Sequence, residues 1–165
     1  MGNGRSATRR RLLAWLALAP FAGALAQALP DRFDPQRDAA KDLATALARA
    51  KADGKRVIVD VGGEWCSWCH LLDRFFDAHA DLAALRDGRY VWLKVNVSRE
   101  NRNEALLARW PKIAGYPHLF VLDADGRLLH SQDTGVLELG KGYDAAKVRA
   151  FLERNTARRP EALRR

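Results

Sequence analysis

The chain has two cysteines, Cys66 and Cys69, standing together in Gly63-Glu-Trp-Cys-Ser-Trp-Cys-His70. Thiols at this spacing do sulfur exchange when the first sits at the start of a helix. Free backbone N–H groups and the positive end of the helix dipole stabilise a thiolate at Cys66, lowering its pKa from about 8.5 into a range of roughly 3.5 to 7.5. Cys69, one turn further in, is then the resolving thiol that closes a reversible disulfide. The ring joining them is too small to do much for folding, so the pair is better explained by exchange chemistry than by scaffolding. Trp65 and Trp68 flank Cys66 as an apolar rim or, for one of them, part of the core. Ser67 and His70 are placed to tune the thiols.

Two other chemistries use the same residues. Cys66-Ser-Trp-Cys-His70 has the Cys-x-x-Cys-His spacing at which c-type haem is attached, with His79, His118 or His130 as the far axial ligand, because the only methionine is Met1. Alternatively, Cys66, Cys69 and a histidine such as His118 could hold zinc or copper(I), although two thiolates and one imidazole form a thin site.

The elements around the cysteines favour exchange. Val57 to Val61 is a short β-branched run interrupted by Asp60 and ended by Gly62-Gly63, which reads as a buried strand emptying into a tight loop. Cys69, Leu72, Phe75, Phe76 and His79 then recur at helical spacing. Upstream, Asp34-Pro35 reads as a helix cap followed by proline, with Leu43, Ala46, Leu47 and Ala50 as the apolar stripe up to Asp53-Gly54. Downstream, Asp81 to Arg86 is expected as a short helix ended by Gly88. Tyr90 to Val97 is a second buried strand, parallel to the first because a crossover joins them. Glu104 to Trp110 is a short helix closed by Pro111. His118 to Asp123 and Arg127 to Gln132 form a hairpin around Ala124-Asp125-Gly126. Thr134 to Tyr143 reads as a glycine-containing loop, and Asp144 caps a last helix with Val148, Phe151 and Leu152 inward.

The stretch from Asp60 to Cys69 resembles the active site of thioredoxins, in which a buried aspartate stands six residues before the first cysteine. Trp68 aligns it with the Cys-x-Trp-Cys branch of thioredoxin-like proteins, since thioredoxin itself has Gly-Pro between its cysteines. The resemblance covers residues 38–156 and implies a three-layer α/β/α fold with a central mixed sheet of about four strands. It further implies that Lys94, in Lys94-Val-Asn-Val97, lies beside Asp60, although a lysine whose stem packs while its head reaches water is an equal reading. By the same resemblance Asp60, its pKa raised by desolvation, accepts the proton of Cys69 through a water; a hydrogen-bonded strand carboxylate is the structural alternative. Gly115-Tyr116-Pro117 matches the loop in which a cis-proline faces the disulfide. Tyr116 would thus offer its backbone to an extended substrate segment.

Residues 1–26 carry Arg5, Arg9, Arg10 and Arg11, no acid, and an apolar run from Leu12 to Ala26 broken by Pro20. This reads as a signal peptide with Ala24-Leu25-Ala26 before the cleavage point, too short for a comfortable membrane span, and Thr8 to Leu13 also resembles a twin-arginine signal. Its removal takes the formal charge from +8 to +4. Arg158, Arg159, Arg164 and Arg165 put most of the remainder into a basic, flexible tail at 157–165, after a lead-in at 27–37 and a domain at 38–156. The near-neutral body lacks a basic stripe, which argues against nucleic acid. The expected protein is a monomeric periplasmic thiol:disulfide oxidoreductase, with no cofactor beyond its own disulfide. Its partners are protein thiols and disulfides together with a redox partner.

Overall fold

In the computed structural model, which describes residues 28–156, five helices surround a four-stranded sheet. Helix α1 (Ala39–Asp53) begins at Asp38, whose side chain accepts from the N–H groups of Ala40 and Lys41, and ends at Gly54 with φ of +64°. The cap is therefore four residues later than Asp34-Pro35 suggests. Asp34 instead accepts from the Gln36 N–H at 2.9 Å and closes a separate turn. A left-handed residue after the last turn favours glycine, which has no Cβ to clash.

Strand β1 (Arg56–Gly62) is buried from Val57 onward. It is followed by α2 (Ser67–Ala78), α3 (Ala80–Arg89) and strand β2 (Tyr90–Asn96), which runs parallel to β1. Helix α3 runs through Gly88 instead of stopping there, because Gly88 is not left-handed and the chain turns extended only at Tyr90. Helix α4 (Glu104–Leu107) is a single turn, shorter than the span to Trp110. Strands β3 (His118–Leu122) and β4 (Leu128–Asp133) form the antiparallel hairpin, and β3 pairs antiparallel with β1. The resulting order, β2-β1-β3-β4, is the mixed sheet expected.

The segment 134–143 is more ordered than a loop. A 3₁₀ turn at Thr134–Leu137 leads into a two-stranded ribbon of β5 (Glu138–Leu139) and β6 (Gly142–Tyr143). Asp144 then caps α5 (Ala145–Arg154), which buries Val148, Phe151 and Leu152.

Alternation along the strands divides the core. Val57, Val59, Val61, Leu93, Val95, Phe120 and Leu122 face α1, whereas Ile58, Leu119 and Val121 face the layer that contains α2, α3 and α5. Asp60, Trp92 and Lys94 belong by the same alternation to the second face. Among the described residues, no helix is long and apolar enough to cross a membrane. The expected signal peptide at 1–26 and the expected basic tail at 157–165 lie outside the described residues.

Candidate active site

Cys66 is the N-cap of α2 and is joined to Cys69 by a disulfide with Cα atoms 5.3 Å apart. The Cys69 N–H donates to Cys66 Sγ at 3.1 Å, so a negative charge on that sulfur would meet a donor and the helix dipole together. Both cysteines are buried, Cys66 being the slightly more open at 4% against 1% for Cys69. Ser67 opens the helix. His70 is half-exposed, and its Nε2 lies 2.8 Å from the Glu64 carbonyl oxygen.

The two tryptophans part company. Trp65 is 60% exposed, lies edge-on to Tyr116 and donates its indole N–H to the Val97 carbonyl at 2.6 Å. Trp68 is half-buried, packing edge-on against Tyr143, whose hydroxyl donates to the Trp68 carbonyl at 3.3 Å. One is the rim and the other is a wall. Glycine makes both close approaches possible. A Cβ on Gly63 would fall 2.3 Å from the Trp65 indole nitrogen, and one on Gly62 would fall 2.5 Å from Cys69 Sγ.

Tyr116 packs against the disulfide, and the Tyr116–Pro117 peptide is cis. Pro117 leads directly into β3, whose first residue pairs with Val61, so this turn and the cysteine loop stand at the same end of the sheet. The Thr134 hydroxyl donates to the Pro117 carbonyl at 2.6 Å and ties down the turn from behind.

Asp60, two residues before Gly62 on the face of β1 where Cys69 Sγ packs, pairs in register with Lys94 and is 1% exposed. Burial raises its carboxyl to about 6, against the opposing pull of Lys94. Trp92 donates to Asp60 Oδ2 at 3.3 Å and Lys94 Nζ lies 3.4 Å from the same oxygen, while Asp60 Oδ1 has no partner. Lys94 makes its shorter bond, 2.6 Å, to Asp73 on α2. Burial alone would lower the ammonium, but the charge of Asp60 and the bond to Asp73 outweigh it and hold Lys94 above the usual lysine value.

Three residues in contact with this site carry no motif. Phe33, from the lead-in, is buried against both cysteines, lies 4.3 Å from Lys94 Nζ, and is fixed by its N–H to Glu64 Oε1 at 2.9 Å. Asp73 stands one turn beyond Cys69 on the same helix face, a spacing that could have flagged it. Tyr143 belongs to the ribbon. Phe33 and Tyr143 leave no local signal because their contacts are made across long stretches of chain.

The donor sets for the alternative chemistries do not assemble. Among the described residues no three His, Cys, Asp or Glu side chains are grouped to hold a metal ion. His79 Nδ1 is 2.7 Å from the Phe75 carbonyl, and His118 turns to the α1 face against Phe120 with Nε2 on Ser131. His130 bonds Gln132. The cysteine sulfurs engage each other.

Thiol:disulfide interchange protein DsbD of Pseudomonas fluorescens (strain Pf-5) is 32% identical over 120 residues, which cover 72% of this chain but only 19% of that protein. The chain thus spans about a fifth of the length of the curated relatives it matches. Among solved structures, a disulphide isomerase from Xylella fastidiosa Temecula1 superposes with a TM-score of 0.64 at 25% identity, covering 77% of this chain and 96% of that one. The reduced C-terminal domain of Neisseria meningitidis DsbD shares the fold, with a TM-score of 0.52 at 22% identity over 72% of this chain and 96% of its own. The family model described as thioredoxin-like matches residues 38–124, more than half of the chain. The chain belongs to the thioredoxin-like family.

Proposed function

We propose that the protein is an exported thiol:disulfide oxidoreductase that exchanges its Cys66–Cys69 disulfide with protein thiols and disulfides. The observation that carries this reading is a disulfide at a helix start, packed at Gly62 on the face of β1 that also carries a buried aspartate with one unpartnered oxygen. A buried carboxylate with one oxygen unpaired is expensive, and accepting the proton of a neighbouring thiol gives it a use.

In the reducing direction, the Cys66 thiolate attacks one sulfur of a substrate disulfide. A Cys66–substrate bond forms and the other substrate sulfur leaves as a thiolate. Asp60 then takes the proton of Cys69 through a water, and the Cys69 thiolate attacks Cys66 Sγ. The mixed disulfide breaks, the substrate leaves reduced, and its two electrons have come from the Cys66–Cys69 dithiol. The oxidising direction reverses these steps. The main chain of the Tyr116–Pro117 turn, beside the sulfurs, offers its polar groups to an extended segment of the substrate. Trp65 supplies the apolar rim. Ser67, His70 and Lys94 set the balance between thiol and thiolate.

The arginine-led apolar run ending at Ala26 supports export to the periplasm. A purified protein should accelerate reduction of a disulfide-bonded test protein by dithiothreitol, and Cys66→Ser should bring the rate down to the uncatalysed level. Equal rates for the two proteins would overturn the proposal. Equilibration with glutathione buffers, read by alkylation and mass, assigns the direction of exchange: a potential near thioredoxin's marks a reductase, and one near the strongly oxidising end an oxidase.

A further inference from the structure

The buried acid has an acidic neighbour on α2, Asp73, that the exchange chemistry above leaves unused and that it meets through Lys94. Lys94 stands between two carboxylates and is not shared evenly, its Nζ being 2.6 Å from Asp73 Oδ1 and 3.4 Å from Asp60 Oδ2. Asp73 is the half-exposed member of the trio, with 41% of its side chain accessible against 7% for Lys94 and 2% for Asp60. It opens, with Lys94 and Trp92, onto a polar groove of about 750 Å³ bounded by Asp31 of the lead-in, Asp77 of α2 and Arg86 of α3. The three groups therefore form a line from water to the interior, ending at the oxygen of Asp60 that nothing satisfies.

We propose that Asp73 is a positioning residue for the exchange reaction: by drawing the Lys94 ammonium toward the groove, it leaves Asp60 under-paired and able to take up the proton of Cys69. This rests on the exchange reading given above. The physical argument is competition for one cation. An ammonium fully committed to Asp60 would hold that carboxylate ionised and make it a poor proton acceptor, because opposite charge favours the charged form. Burial raises the Asp60 carboxyl most and the negative charge of Asp73 adds to it, while Lys94, its short bond spent on Asp73, opposes them from 3.4 Å. The stem and head of Lys94 cannot simply swing away, since the Phe33 ring covers the ammonium at 4.3 Å.

The proton balance follows. Asp60 carboxylate and Cys69 thiol become Asp60 carboxylic acid and Cys69 thiolate. The thiolate attacks Cys66 Sγ, the mixed disulfide breaks, and the substrate departs as a thiolate. Asp60 then returns its proton to solvent. The groups that face Asp60 are Lys94 and Trp92 from β2, Asp73 from α2 and the Tyr143 phenol from β6, while Cys69 Sγ packs at Gly62, two residues further along the same face of β1. In the oxidised protein the cysteines do not titrate, and Tyr143 is held above its ordinary value by burial, so Asp60 can be followed alone between mildly acid and neutral pH.

The test is a carbon-13 NMR titration of the Asp60 side-chain carboxyl in the oxidised full chain, the signal being assigned by its loss in Asp60→Asn. Asp73→Asn should lower the Asp60 midpoint by about one pH unit, a tenfold change in its ionisation constant, and Asp73→Glu should restore most of the wild-type value. In parallel, Asp73→Asn should slow release of the mixed disulfide severalfold, with the pH profile displaced in the same direction. An Asp60 midpoint that is unchanged or raised in Asp73→Asn would overturn the proposal, as would a lowered midpoint with an unaltered rate of release. Failure of the exchange reading itself would show separately, as absent activity in the unmutated protein.

Discussion

The protein buries two aspartates, and they are treated in opposite ways. Asp42, in the first turn of α1, is 4% exposed and answered by the Arg37 guanidinium, which donates from Nε at 2.9 Å to one oxygen and from a terminal nitrogen to the other. The same arginine also donates to the Ala28 carbonyl at 2.9 Å, so the pair fastens the lead-in onto the domain. Asp60, equally buried, has a cation at 3.4 Å that is closer to another acid, an indole N–H at 3.3 Å, and one oxygen with nothing. A paired buried carboxylate is a structural fastener, whereas an under-paired one is a store of unfavourable energy held beside the sulfurs. The lesson is that burial alone does not distinguish a functional acid; the state of its partners does.

Replacing each acid should separate the two roles. The largest effect is expected at Asp60. Its folded-state value is raised, from 3.8 to about 6, so the folded chain binds the proton more tightly than the unfolded chain does. Wild type should therefore match Asp60→Asn in relative stability below about pH 4, lose ground as the pH rises toward about 6, and stay behind by up to roughly 3 kcal/mol above it. Denaturant unfolding at a series of pH values measures this. The same substitution should slow closure of the internal disulfide on the order of 100-fold, read in stopped flow, because a positioned base is lost. A destabilised Asp60→Asn at pH 8 would place Asp60 with Asp42 as a fastener.

Asp42→Ala should do the reverse. Loss of the paired carboxylate should cost about 2 kcal/mol, less than a fully interior pair because Arg37 still reaches water, while exchange by the folded protein stays at the wild-type rate. A slowed exchange at full folding would break the comparison from the other side. The smallest effect is expected at Thr134→Val, which removes the hydroxyl from the buried Pro117 carbonyl and should cost about 1 kcal/mol, as measured by urea unfolding.

Much of this site is legible in the amino-acid sequence. Cys66 and Cys69 are close in sequence, and the resemblance to thioredoxins points to Asp60 by its six-residue offset and to Lys94 as its neighbour, with a lysine reaching water as the equal alternative until the register of β1 and β2 sets the two side by side. These are local patterns or regular pairings. Phe33 and Tyr143 carry no local signal, because an aromatic in a stretch without periodicity looks ordinary until the chain brings it to the site, whereas Asp73 has one clue, its spacing of a helical turn from Cys69. The cap of α1 was misplaced for a related reason: Asp34-Pro35 and Asp38 both have the chemistry of a helix start, and only packing of Ala39 and Leu43 onto the sheet decides between them. Gly88 lacked the left-handed backbone that would have made it a stop.

The central claim is that the two cysteines act in order, Cys66 attacking and Cys69 resolving. It is tested most directly by expressing Cys69→Ser and Cys66→Ser side by side and separating their disulfide-linked adducts without reductant. The account predicts that Cys69→Ser accumulates mixed disulfides that dissolve on adding dithiothreitol, while Cys66→Ser traps almost nothing. Equal trapping by both variants, or none by Cys69→Ser, would contradict it.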